Sequence, residues 1–237
     1  MAKKKRKSSR KAVPRPAQER SRGYRQVAKR KATTEGGWDR YLELTLYYGM
    51  LVLAFLLPII FERYTYDQFD LPKMVFLRLM VIFLLAVYLT RLLTSKKIEV
   101  HFSPVYFLVI AFLVSVFIST ILSVHVPTAI FGKYRRYEGL ITFVTYGVLF
   151  FLAVQVFRDF SRIRSLAEVI AVSAAIVSFY GIIQFFGLDP FQWAEVPFEL
   201  KRSFSSYGNP TLLSGFLTVA FPLSLAVFLS TKERWEN

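Results

Sequence analysis

Residues 102–132 read FSPVYFLVIAFLVSVFISTILSVHVPTAIFG, and Asp, Glu, Lys and Arg are absent from the whole stretch. An α-helix needs roughly 20 apolar residues to cross about 30 Å of hydrocarbon, so this segment alone is long enough to enter a membrane. It is one of six. Leu44–Phe61, Gly139–Phe157, Val169–Leu188 and Ser203–Thr231 also lack those four residue types, and Met74–Thr90 is interrupted only by Arg78. The pattern predicts an all-α, polytopic membrane protein with about six transmembrane helices. They are placed near 41–61, 74–90, 104–124, 138–157, 166–187 and 210–230, in a domain covering 38–237.

Composition separates this body from what precedes it. The chain is 54% hydrophobic and 17% aromatic, with 24 Phe and a net charge of +15. Residues 1–36 hold fourteen Lys/Arg against two Glu, so most of that charge lies in a segment almost without apolar residues. Residues 1–37 are therefore expected to form a disordered basic tail. The run Lys3-Lys4-Lys5-Arg6-Lys7 resembles a nucleic-acid arm. Ahead of a helical membrane body, attraction to anionic lipid on the cytoplasmic side is the better reading, with no nucleic-acid partner. Cysteine is absent and His occurs twice, so disulfides, thiolate sites and a histidine metal cluster are not expected. No cofactor is expected either.

With the tail inside, six crossings return the C-terminus to the cytoplasm. The inner loops then carry Arg91, Lys96, Lys97, Arg158, Arg162 and Arg164, and the outer loops Glu62, Asp67, Asp70, Asp189, Glu195 and Glu199. This agrees with the excess of Lys and Arg on cytoplasmic loops. One outer loop breaks the rule. Lys133, Arg135 and Arg136 sit together between Gly132 and Gly139, and an outward basic cluster calls for an anion to hold. Arg presents a planar fork of donors matched to phosphate oxygens, so the cluster suits a pyrophosphate, with Gly132 and Gly139 allowing close backbone approach. Snorkelling to lipid headgroups is the competing reading.

A second candidate is Lys201-Arg202-Ser203-Phe204-Ser205-Ser206-Tyr207-Gly208-Asn209-Pro210. Pro210 suits a first helical turn and Asn209 an N-cap, so the last helix should start here on the outer side. Arg202, the serine hydroxyls and the free amides of that helix start would make a phosphate cradle. Arg78 is expected to snorkel outward from the second helix. His125 lies at the outer end of the third helix as a candidate base, and His101 on the inner side is a weaker one. Glu62, Asp67 and Asp70 lack the spacing of a metal loop.

Four stretches together resemble the N-terminal half of the O-antigen ligase/polymerase superfamily of bacterial integral-membrane glycosyltransferases. They are Phe69-Asp70-Leu71-Pro72-Lys73; Ser123 through Gly132 with Arg136 and Gly139-Leu140; Tyr180-Gly181, Gln184, Gly187-Leu188-Asp189-Pro190 and Trp193; and Arg202-Ser203-Phe204-Ser205 with Gly208-Asn209-Pro210 and Leu213. The resemblance implies transfer of a polyprenyl-pyrophosphate-linked glycan to an acceptor hydroxyl at the outer face of the cytoplasmic membrane. It places Arg202 at the pyrophosphate and matches Arg136 to a second motif arginine; taken with the two loops read above, the expected pyrophosphate site set is Arg136, Arg202, Arg135, Lys133, Ser203 and Asn209, framed by Gly132, Gly139, Gly208 and Pro210. The family continues into further helices and an outer loop bearing a catalytic His, to which no position here corresponds. The chain is therefore expected to be inactive alone and completed by a C-terminal half or a second chain. A non-enzymatic membrane scaffold or a transporter-like subunit is the alternative.

Overall fold

A computed structural model describes residues 37–94, 100–191, 193 and 202–235, the last five by their backbone alone. The tail, Ser95–Glu99, Glu195, Glu199 and Lys201 lie outside the described residues. Among the described residues all regular structure is helical. The elements are α1 (Gly37–Leu56), α2 (Asp70–Thr94), α3 (Val105–Ile121), α4 (Val126–Phe131), α5 (Leu140–Val156), α6 (Phe160–Phe185), a 3-10 turn (Ser205–Tyr207) and α7 (Pro210–Trp235).

Three helices are long and apolar enough to cross a membrane: α2, α6 and residues Pro210–Ser230 of α7. That is fewer than the six expected, and the reasons are local. α3 and α5 are apolar but only 17 residues each, roughly 26 Å of helix. α1 carries Asp39, Arg40 and Glu43 in its first turns and stops at Leu56, because Pro58 has no amide to continue the ladder. The long third stretch is split. α3 ends at Ile121, and α4 starts afresh with Pro127 in its first turn and the His125 ring as its cap. α2 and α6 instead run beyond their apolar stretches, to residues 70–94 and 160–185. Most of their surface is apolar and uncovered, with Leu79, Ile82, Phe83, Phe179 and Ile182 all exposed. On helices of this length such a surface is suited to lipid rather than water. The chain is a membrane protein.

The chain divides into two units, residues 1–41 and 42–237. Of the first, only the start of α1 is described, where the rings of Trp38 and Tyr41 meet edge-on at 6.5 Å. In the second, the buried core joins Leu46, Met50 and Leu53 of α1 to Leu77, Val81, Leu84 and Tyr88 of α2 and Leu152 and Val156 of α5. α6 packs on α7, α3 on α5, and the 3-10 turn on both α6 and α7.

Candidate functional site

The connection between α1 and α2, residues 57–69, is the platform of the candidate site. Its turn closes through the Glu62 amide, which donates to Gln68 O at 2.8 Å. Asp67 Oδ1 accepts the Asp70 N–H at 3.1 Å, satisfying one of the free amides at the start of α2. Lys73, one turn into α2, reaches back. Its Nζ donates to Ile60 O and, at 2.6 Å, to Ser206 O, and it lies 5.2 Å from the centre of the Tyr207 ring. One ammonium thus holds the end of α1, the start of α2 and the 3-10 turn together.

The Arg202 segment docks onto α6 and onto this platform through hydrogen bonds that its residue types make possible. Ser203 Oγ donates to Gly181 O at 2.6 Å, Ser205 Oγ to Val177 O at 2.7 Å, and Ser206 Oγ to Pro58 O. Each serine's one donor is therefore directed into the fold. The acceptor-only oxygens of a phosphate would find no free hydroxyl proton there, which corrects the expectation of a serine cradle. Gln184 Oε1 accepts from both Phe204 N (3.2 Å) and Ser205 N (2.6 Å). Gly208 takes φ 65°, and a Cβ there would lie 2.2 Å from the Phe69 ring, so both the turn and the contact need glycine. Asn209 Oδ1 accepts the Thr211 amide at 2.8 Å and caps α7, whose first residue is Pro210. Burial pushes the Tyr207 phenol up from its ordinary pKa. Arg202 is exposed.

The basic loop approaches the same platform from another side. Tyr134 lies 6.2 Å from Tyr66, ring to ring, and the Arg135 guanidinium sits 5.0 Å over Tyr66. Burial, and then the neighbouring Asp67 carboxylate, push the Tyr137 phenol up. The loop turns tightly, with Arg135 at φ 71° and Tyr137 at φ 52°, conformations that cost non-glycine residues energy. Gly132 and Gly139 form its neck. A Cβ on Gly139 would meet Gly132 N at 2.3 Å, and one on Gly132 would meet Tyr137 C at 2.4 Å. The glycines admit the loop's own backbone, where close approach of a ligand was expected. Lys133 and Arg136 are exposed. Among the described residues, no hydrogen bond or ion pair engages the charged group of Lys133, Arg136 or Arg202.

Other residues fall into place around these two loops. Tyr180 OH, Gln184 Nε2, Phe191 N and Trp193 Nε1 all donate to the Asp189 carboxylate, at 2.7–3.0 Å. Phe61 and Phe69 complete an aromatic cluster with Trp193 and Phe204. Arg78 does not snorkel. Its Nη2 donates to Thr142 Oγ1 at 2.8 Å, its Nε is buried without a partner among the described residues, and Thr142 in turn donates to Tyr137 O. His125 Nδ1 accepts the Thr128 amide at 3.3 Å, a capping task that accounts for its place in the sequence. An open groove of about 370 Å³ beside the basic loop is lined by Ser115, Ser119, Thr120, Ser123 and Glu138. Among the described residues no cluster of His, Asp and Glu could hold a metal ion.

Set beside known proteins, the chain matches no family model, no curated protein and no solved structure. The site must therefore be interpreted from its geometry. Three of the four stretches singled out in the sequence meet at one end of the helices through Phe69, Trp193 and Phe204, and the basic loop of the remaining one reaches the neighbouring connection through the Tyr66–Tyr134 contact. The roles of Lys73 and Gln184 were invisible in the sequence. Their most distant partners are main-chain groups 133 and 21 residues away, and no local spacing announces such a bond.

Proposed function

We propose that this chain is the donor-binding part of a bacterial membrane glycosyltransferase of the O-antigen ligase/polymerase type. Its substrate would be a polyprenyl-pyrophosphate-linked glycan, destined for an acceptor hydroxyl. One observation carries this reading. Two arginine-bearing loops dock on the same platform, residues 57–69 with Lys73, and leave the guanidinium groups of Arg136 and Arg202 exposed, with no partner among the described residues. An unpaired guanidinium is held ready for an oxyanion. In glycan transfer from a lipid pyrophosphate, negative charge develops on the departing diphosphate, and fixed donors aimed at that charge give the largest electrostatic contribution. Arg135, stacked on Tyr66, and Lys133 would add to the local potential.

In this reading α1, α3 and α5 complete six crossings with α2, α6 and α7. The platform then faces outward from the bacterial cytoplasmic membrane, with both termini in the cytoplasm. α7 passes through Pro222 without a break. That continuity favours the glycosyltransferase over a transporter-like subunit, whose helices are expected to unwind near mid-membrane.

The test is binding, because it requires no partner chain. The full chain in lipid nanodiscs is titrated with undecaprenyl pyrophosphate. Arg136→Ala and Arg202→Ala are each expected to weaken binding about 10–100-fold, the effect of removing a charge-assisted hydrogen bond. Unchanged affinity in both variants overturns the clamp.

A further inference from the structure

Arg78 is the one charged side chain inside the apolar stretch Met74–Thr90, and neither the platform nor the clamp uses it. It lies roughly 12 Å along α2 from Asp70, about one turn inside that stretch. Val75, three residues before it, and Ile82, four residues after it, are both exposed, as is the adjacent Leu79. Residues three and four apart are neighbours on a helix surface, so Arg78 borders the side of α2 suited to lipid. On its other flank stands α5. Arg78 Nη2 donates to Thr142 Oγ1 at 2.8 Å, and Thr142 directs its own proton to Tyr137 O. Tyr146 is one turn further along α5 on the face of Thr142, 48% exposed, and near enough for the Arg78 charge to act on its phenol.

Charge decides what this seam lacks. Arg stays protonated at any relevant pH, and among the described residues no ion pair engages Arg78. Its polar partner there is a neutral hydroxyl, and its Nε is buried with none. Glu138, four residues before Thr142, lines the groove shared with α3 and does not pair with it. A charge on a membrane-crossing helix is costly until it meets a counter-charge, and Thr142 supplies none. The Tyr146 hydroxyl also has no hydrogen bond among the described residues. A guanidinium fork and a phenol, both free to donate at the lipid side of one seam, call for an acceptor-rich anion. Phosphate matches the fork, and lipids carry phosphate at this boundary.

We propose that the seam between α2 and α5 holds the phosphate of a membrane lipid, which enters laterally from the bilayer. Arg78 donates to the phosphate oxygens through the part of its fork that Thr142 leaves free, and the Tyr146 hydroxyl donates to another of them. The phosphate is that of a phospholipid headgroup or of a polyprenyl phosphate, whose chain lies in the same leaflet. The site is independent of the pyrophosphate clamp and stands or falls separately from it.

The experiment uses the full chain carrying Arg136→Ala and Arg202→Ala, so that the clamp contributes no binding. In nonionic detergent micelles, retention of phosphatidylglycerol and, in a second arm, of undecaprenyl phosphate is measured by native mass spectrometry. Diacylglycerol, which has no phosphate, is the control. Retention of phosphatidylglycerol alone above the control assigns a phospholipid headgroup, and retention of undecaprenyl phosphate alone assigns a polyprenyl phosphate. Retention of both assigns a site that reads the phosphate and not the chain. Arg78→Gln is expected to weaken the retained lipid about 10-fold or more. Tyr146→Phe keeps the ring that meets Phe143 edge-on and is expected to weaken it about 5-fold, which decides the matter should Arg78→Gln fail to fold. Retention of both lipids at the control level overturns the proposal, as does unaltered retention in Tyr146→Phe or in folded Arg78→Gln.

Discussion

Gln184 is asked to satisfy three groups at once: the amides of Phe204 and Ser205 at its oxygen, and the Asp189 carboxylate at its nitrogen. It is buried near the end of α6, so water does not replace it. Gln184→Leu keeps an apolar volume of similar size and strands two amides. A loss of about 2–4 kcal/mol is expected, measured by unfolding in mixed micelles. A loss under about 1 kcal/mol would show that the turn satisfies those amides without Gln184. At this scale the sequence was readable where a bond is local. Asn209 and Pro210 mark the start of α7 by their chemistry alone, because capping joins residues two or three apart. Lys73 and Gln184 were not readable in that way, since neither bond leaves a spacing signature. The serines misled for a related reason. Ser203, Ser205 and Ser206 look like phosphate ligands in a one-dimensional string, and only the fold shows their protons pointed at Gly181, Val177 and Pro58.

Hydropathy located every long helix but missed how each one ends. α6 begins at Phe160, several residues before its apolar stretch, through a polar first section where Arg164 pairs with Glu168 at 2.8 Å. Such i,i+4 pairs support helix outside the hydrocarbon, and an apolar count does not register them. In the opposite direction, 102–132 carries no Asp, Glu, Lys or Arg yet breaks after Ile121, because Pro127 and the His125 cap start a new helix. The basic loop that follows depends on its neck. Gly139→Ala would push a methyl group into main-chain atoms of Ile130 and Gly132 and is expected to cost about 2–4 kcal/mol. Gly215→Ala, inside α7 with nothing within 4 Å of the new carbon, should be neutral or stabilising. Thermal melting of the two variants side by side checks this. Equal melting temperatures would mean that the loop neck opens at little cost.

Across the whole chain, apolar side chains remain uncovered along the long helices while polar contacts gather at their two ends. This is the arrangement expected of helices packed in lipid. Tyr64 and Leu93 are both strongly exposed, at 95% and 87%; Tyr64 lies before the start of α2 and Leu93 in its last turn. Cysteines at these positions, in a chain with no native cysteine, are expected to react with a membrane-impermeant maleimide from opposite sides of the bilayer. Labelling of both from one side would refute a membrane-crossing α2. The fold class and the position of both arginine loops could be inferred from residue order. The number of full-length spans could not, since it depends on where Pro58 and Pro127 stop a helix rather than on apolar content. One consequence follows from the way Lys73 grips its surroundings. Both of its acceptors are carbonyl oxygens, which every amino acid supplies, so Ile60 can drift in identity without disturbing the grip, whereas Ser206 is also tied down by its hydroxyl on Pro58 O. Chain length is a different matter: one residue added between Ile60 and Lys73 would move the Ile60 oxygen out of reach, leaving that one position free in spelling but fixed in its place along the line.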